Sequence, residues 1–302
     1  MTTHADDHRQ HHHHDRPHHD ERGHGPAPEH DTGLAELLDL DAVLGAPVLA
    51  AALDAAAAAL GDAPRQVADL GAGTGTGTLA LAARFPGARV HALDASPAML
   101  DRLGAAARAA GVADRVQVHP VDLDGDWPAV LPGTLDLAWA ALSLHHVSDP
   151  ARVLRQALAA LRPGGVLVVL EMTGEIAHEP ADLGTGRDGL GPRLVRALAA
   201  QGYPVTAEWS AALTQAGFAL VDRHTAAVAA SAATAEGARY LALDLARSRG
   251  RLEGALAGDD LAALDVVVAA LRAGTSPLAT SAGRAVWVAV RPASDAGEGV
   301  RR

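Results

Sequence analysis

Short apolar runs alternate with amphipathic stretches from residue 34 to residue 171. Leu34, Leu37, Leu38, Leu40, Val43 and Leu44 recur at helical spacing, and the helical pattern continues to Leu60 after a break near Gly45–Pro47. Gly61 is placed to end it. Val67–Leu70 reads as a first buried strand, and Thr78–Arg84 as the helix that follows it. Arg89–Leu93 alternates and ends at Asp94, a second strand. Ser96 caps the next helix, with Pro97 in its first position and Gly111 at its end. A third strand starts at Arg115–Val118 and carries on to Val121 and Asp122. Leu135–Ala140 is continuously apolar, as a strand covered on both faces should be. Asp149–Pro150 opens a helix that closes at Arg162-Pro163-Gly164-Gly165, and Val166–Leu170 is a fifth strand ending at Glu171. Strand and helix in strict alternation predict an α/β fold, a doubly wound, mostly parallel sheet with helices on both faces.

After Glu171 the rhythm breaks. Residues 172–207 hold several glycines and prolines around one helix, Pro192–Gln201, and a second helix, Trp209–Ala216, is closed by Gly217. Phe218–Val228 and Arg284–Val290 read as late strands separated by two amphipathic helices, Thr234–Glu253 and Asp259–Ala273. Two such strands are placed most simply as an antiparallel pair at the sheet edge. The expected organisation is a domain over 33–292, with substrate-side insertions at 172–207 and 229–283. Tails at 1–32 and 293–302 flank it and are expected to be disordered. The apolar faces of the insertions suit a small apolar-aromatic substrate, and equally a homodimer surface.

Composition narrows the chemistry. The chain has 302 residues and net charge −11, every basic residue is Arg, and only 3% of residues are aromatic, so the core is built from Ala, Leu and Val. An acidic chain does not suit non-specific nucleic-acid binding, which needs clustered positive charge. The absence of cysteine excludes disulfides, thiolate metal sites and a cysteine nucleophile. No run approaches the roughly 20 apolar residues of a membrane span, and no apolar leader precedes the domain, so the expected location is the cytoplasm, off the membrane. Ten of the 16 histidines precede Asp31. Among them His11, His12, His13 and His14 form a possible weak site for a divalent metal, and no metal site is expected in the domain.

The chemistry gathers at the ends of the predicted strands, where an open α/β sheet binds its ligand. Asp69 precedes glycines at 71, 73, 75 and 77. A strand running through glycines into a helix brings backbone N–H groups close to a ligand. The carboxylate at the mouth of this loop opposes a pyrophosphate and favours a cation. The dinucleotide fingerprint also fails in register: counted from Gly71 or Gly73, its third position is Thr76 or Thr78. Asp94 stands about 20 residues on, where a nucleotide-binding fold places an acid for ribose hydroxyls. Asp122 can accept an exocyclic adenine amine while the Leu123 amide faces a ring nitrogen. S-adenosylmethionine, an adenosine cofactor with an ammonium and a sulfonium, matches this charge pattern.

Val67–Gly75, Asp94, Val121-Asp122-Leu123, Leu135–Pro150 and Leu161–Val166 resemble, in order, the motifs of class I S-adenosylmethionine-dependent methyltransferases. The resemblance implies a Rossmann-like seven-stranded sheet with a reversed last strand. It implies Asp69, Gly71, Ala72, Gly73 and Gly75 around the methionine moiety, Asp94 with Ala95 on the ribose, Asp122 and Leu123 on the adenine, and Ala140 lining the cleft. The expected activity is methyl transfer to a small-molecule nucleophile by direct displacement. His145 and His146 are the candidate bases after strand four, and Glu171 and His178 lie within expected reach of substrate. Ser-Leu-His-His at 143–146 replaces the Asn/Asp-Pro-Pro-Tyr/Phe motif of nucleobase amino-methyltransferases, which argues against that substrate class. Trp139, Trp209, Trp287, Phe218 and Tyr240 are read as packing residues. Removing residues 1–30 should lower nickel or zinc binding, measured by calorimetry, and leave methyl transfer intact; lost transfer would make the tail part of the site.

Overall fold

A computed structural model describes residues 28–203, 206 and 208–293, with side chains from residue 33 onward. The histidine cluster His11–His14 and the last nine residues lie outside the described residues. In chain order the elements are α1 (Pro28–Leu44), α2 (Ala46–Leu60), β1 (Gln66–Leu70), α3 (Thr76–Arg84), β2 (Arg89–Asp94), α4 (Pro97–Ala109), β3 (Val116–Pro120), β4 (Leu135–Ala141), α5 (Pro150–Ala160), β5 (Leu161–Glu179), α6 (Leu190–Ala200), α7 (Trp209–Ala216), β6 (Ala219–Ser231), α8 (Ala235–Arg251), α9 (Gly258–Arg272) and β7 (Ala279–Val290). α1 begins inside the segment the sequence assigns to the tail.

The seven strands form one sheet in the order β3-β2-β1-β4-β5-β7-β6. β1 to β5 are mutually parallel, and β7 runs antiparallel to both β5 and β6. The late pair is therefore antiparallel at the sheet edge, as expected. β3 stops at Pro120, two residues short of the predicted end; the Val121 amide makes the last bond to β2, on the Asp94 carbonyl at 3.0 Å.

Two apolar layers sandwich the sheet. Trp127, Trp287, Leu154 and Leu213 belong to the layer under α5 and α7, and Trp139, Leu81, Leu53 and Val168 to the layer under α2 and α3. Full burial of each such side chain contributes roughly 1.5–3 kcal/mol. Trp139, Trp209, Trp287 and Phe218 are core, at 0 to 4% exposure.

The larger departure lies after Glu171. Met172–Glu179 continues β5 in register with β7 down to Ala279, across one shift between Met172 and Ile176. β6 and β7 extend with it. The first supposed insertion thus begins as strand and the second both begins and ends as strand, and three long strands rise beyond the parallel sheet. Gly174 and the register shift hide that continuation from a periodicity reading. α6, α8 and α9 pack over the extension around their own core of Leu194, Leu198, Leu241, Leu245, Leu264 and Val267. Their apolar faces are therefore used against one another, not offered as a free surface. Among the described residues no single helix is long and apolar enough to cross a membrane.

Asp136 fixes the base of the sheet: its carboxylate accepts the backbone amides of Arg65 (2.8 Å) and Gln66 (2.9 Å) and the Arg162 Nε–H (2.6 Å). Asp136→Ala orphans these donors and should cost about 1–3 kcal/mol, read as a lower urea midpoint at unchanged slope.

Candidate active site

The glycine loop leaves β1 and turns into α3. Gly71 and Ala72 donate their amides to the Leu93 carbonyl, both at 2.9 Å, so the end of β2 anchors the loop. Gly75 has φ 99°, and a Cβ there would lie 2.6 Å from Leu103 Cγ, so only glycine turns here against α4. Gly73 is different. It too has a positive φ, 53°, but a Cβ on it would meet only Leu38 Cδ1, at 4.0 Å. That side of the loop is open, with α1 standing over it.

Asp94 closes the arrangement from the neighbouring strand. Its Oδ2 accepts the Gly73 amide at 2.8 Å and its Oδ1 accepts the Ser96 amide at 2.8 Å. Each oxygen keeps capacity for a further donor, and a pair of ribose hydroxyls supplies two. Ala95 beside it is exposed, as is Asp122, whose Oδ1 accepts the Asp124 amide at 2.8 Å. Leu123 is buried at 7%, its side chain in the core.

Asp69 is placed otherwise than its sequence position suggests. Its carboxyl lies beneath the loop, 2% exposed, and accepts the Thr78 hydroxyl at 2.7 Å. Burial pushes its pKa up to about 7 and the nearby Asp94 charge raises it, while the Thr78 hydroxyl and amide pull it down. Near neutrality it is therefore poised between acid and carboxylate, and a cation above the loop would favour the ionised form. Ala72 packs with Ala92, Leu100 and Leu103 under the loop, so its side chain faces the core. Ala140 needs correction: it lies within β4, paired with Val169 and 1% exposed, so its side chain fills the core and does not line the cleft.

The rim after β4 joins the predicted residues His145, His146 and Glu171 to Leu142 and Ser143, for which the sequence suggested no role. Leu142 adopts φ 54°, and the Ser143 hydroxyl donates to the Leu70 carbonyl at 2.6 Å. A Cβ on Gly71 would collide with Ser143, so this glycine admits the rim segment against β1. Glu171, 1% exposed, accepts the Leu144 amide at 3.0 Å and pairs with His145 Nδ1 at 2.7 Å. It is thus committed to holding the rim and is not free for substrate. With Nδ1–H donated to Glu171, the His145 Nε2 lone pair is available as a base. The His146 ring lies 3.9 Å from that of His145, centre to centre. Burial and His145 lower its pKa, and Asp94 and Glu171 act against this, so it is neutral at pH 7 and feels the ribose-side carboxylate. His178 is remote from this rim along β5, in the wall of a separate cavity, and burial lowers its pKa. Among the described residues no group of His, Asp or Glu forms a metal site.

Residues 68–167 match the family model of a methyltransferase domain. The chain is 38% identical over 152 residues to a trans-aconitate 2-methyltransferase of Methylobacterium radiotolerans, covering 50% of this chain and 48% of that protein. It is 36% identical over 118 residues to a malonyl-[acyl-carrier protein] O-methyltransferase of Dechloromonas aromatica, covering 39% and 40%. The chain thus spans about half or less of the length of these curated relatives. The crystal structure of a putative methyltransferase from Bacillus halodurans superposes with a TM-score of 0.54 at 16% identity, covering 81% of this chain and 98% of that one, and shares the fold. The ordered motifs, the segment matched to a methyltransferase domain and the sheet order thus agree, and residues 68–167 resemble the class I S-adenosylmethionine-dependent methyltransferases.

Proposed function

We propose that the chain transfers a methyl group to a small-molecule nucleophile by direct displacement. The observation that carries this reading is the bond from the Gly73 amide to Asp94 at 2.8 Å, which joins an open glycine loop to a carboxylate with capacity on both oxygens. S-adenosylmethionine supplies an electrophilic methyl on a sulfonium whose departure is already activated by its charge. The chain's own residues do the rest. Asp94 holds the ribose hydroxyls, and Asp122 with the Leu123 amide receives the adenine edge. Gly71, Gly73 and Gly75 allow the backbone to approach the methionine moiety, and ionised Asp69 beneath them favours a positive charge above.

Alignment of nucleophile and methyl supplies much of the rate in such a displacement. His145, held through Nδ1 by Glu171, presents Nε2 to take a proton from an acceptor that needs to lose one, and His146 packs against it. Glu171 acts through His145 and is a positioning residue.

Release of S-adenosylhomocysteine with a panel of metabolites tests the activity. Calorimetry tests the cofactor: NAD binding without S-adenosylmethionine binding would overturn the reading. Asp94→Ala should weaken cofactor binding by about 1.5–3 kcal/mol, the loss of hydrogen bonds to a charged acceptor; unchanged affinity removes the ribose assignment. The Asp69 pKa of about 7 sets a second expectation. Its ionised fraction grows as pH rises through 7, so affinity for the cationic cofactor should climb between pH 6 and 8. Affinity for S-adenosylhomocysteine, which lacks the sulfonium, should climb less. Asp69→Asn should flatten the difference between the two profiles.

A further inference from the structure

The segment that carries the two histidines is fixed from opposite sides. At one end Ser143 donates to the Leu70 carbonyl at 2.6 Å, and a Cβ on Gly71 would collide with Ser143 Cβ. The segment therefore touches the glycine loop itself. At the other end Glu171 accepts the Leu144 amide on Oε1 at 3.0 Å and meets the His145 ring on Oε2 at 2.7 Å. Both oxygens of one buried carboxylate are thus committed to a single short stretch of chain.

The His145 ring is oriented by this and only just open. Its side chain is 7% exposed. Its Nε2 has no hydrogen-bond partner among the described residues, yet, unlike Nε2 of His224, it is not sealed from solvent. A carboxylate on Nδ1 fixes the tautomer that leaves the lone pair on Nε2, and it stabilises the imidazolium once that nitrogen takes a proton. The charged groups that act on the adjacent His146 are His145, Glu171 and Asp94, with no arginine among them. An incoming group therefore meets a base and two carboxylates, and no guanidinium.

These features discriminate among acceptors. A carboxylate is already ionised, has no proton for His145 to take, and would face Glu171 and Asp94 with no cation to hold it. An amine attacks through a lone pair it already has and sheds its proton afterwards. A thiol ionises at about 8.5 and is a strong nucleophile with little help. A hydroxyl must lose its proton as the new bond forms, since otherwise a strongly acidic oxonium results. An aliphatic hydroxyl is nearly as weak an acid as water, at about 15.7, far above an imidazole at about 6.5. A phenolic hydroxyl, at about 10, lies within reach of such a base.

Resting on the methyltransferase reading above, we infer that the acceptor is an acidic hydroxyl, a phenol or an enol, and that His145 Nε2 takes its proton as the oxygen is methylated. The O–H bond breaks toward Nε2, an oxygen lone pair forms the new C–O bond, and the C–S bond breaks with its electron pair left on a neutral sulfur. The imidazolium stays beside Glu171 until its proton passes to solvent. Glu171 acts through His145 and positions it.

The test uses the full chain saturated with S-adenosylhomocysteine and two probes built on one ring, 4-nitrophenol and 4-nitrobenzoate. The pH is set about one unit below the ionisation of free 4-nitrophenol, so the unbound probe is mostly colourless. 4-Nitrophenol should bind saturably, and the yellow phenolate absorption should rise in proportion to the complex as the proton moves to His145. 4-Nitrobenzoate should bind at least tenfold more weakly. His145→Gln should abolish the phenolate rise, and Glu171→Gln should shrink it several-fold, both with S-adenosylhomocysteine affinity kept within twofold. Because these buried changes can unfold the protein, nitrogen-15 NMR of the wild type serves as a second measurement: one histidine should pass from the Nδ1–H tautomer to imidazolium when 4-nitrophenol saturates. Bound 4-nitrophenol with no phenolate rise and no new imidazolium overturns the proposal. So do a rise that persists in His145→Gln, tighter binding of 4-nitrobenzoate, and binding of neither probe. Failure of the wild type to bind S-adenosylhomocysteine would instead remove the reading beneath it, and the proposal with it.

Discussion

One carboxylate couples the two strand ends from which the site is made. Asp94, at the end of β2, takes an amide from the loop after β1 and another from the start of α4. Without it the glycine loop would be held mainly by the Gly71 and Ala72 amides on the Leu93 carbonyl. The remaining site elements are arranged against this joint. Ser143 reaches the Leu70 carbonyl from the other side, and Glu171 fixes the segment that carries both histidines. A charge-assisted bond between backbone and carboxylate is about twice as strong as a neutral one, which suits a loop whose glycines cost conformational entropy to order.

Much of the parallel half was legible in the sequence because its signals are local. Short, largely apolar strands with an acid at or next to their last residue mark β1 and β2, and the Ser96 side chain accepts the Met99 amide at 3.4 Å as the cap it was read to be. The late strands were legible in existence and pairing but not in length. β5 continues through Met172–Glu179, where Gly174 and a register shift interrupt alternation, and the evidence for strand is its pairing with β7 more than 100 residues away. Ala140 was misplaced because β4 runs on to Ala141 and both faces of the strand are covered, so the side chain at 140 is still inside the core.

The cavity above the sheet was beyond any local reading. Asp41, His178, Tyr203, Tyr240, Asp244 and Arg284 come from four elements and a loop. His178 was singled out for its position after β5, yet its neighbours are residues of the extension and not the rim histidines. Tyr240 looked like packing because one of its surfaces is packing; its hydroxyl is the part that sequence periodicity does not describe.

The attachments of α1 are graded along its length. Glu36 pairs with Arg239 and Asp39 with Arg102, and in both pairs the side chains are roughly half exposed. Exposed pairs contribute at most about 1 kcal/mol each and weaken as ions screen them. The third pair, Asp41 with Arg284, is largely shielded from solvent. The helix is thus fastened firmly at the end near Gly45 and loosely at the other, like a flap with its hinge on the side of the cavity. Dissolved salt therefore weakens the two outer attachments of α1 before it weakens the joint between the helix and β7.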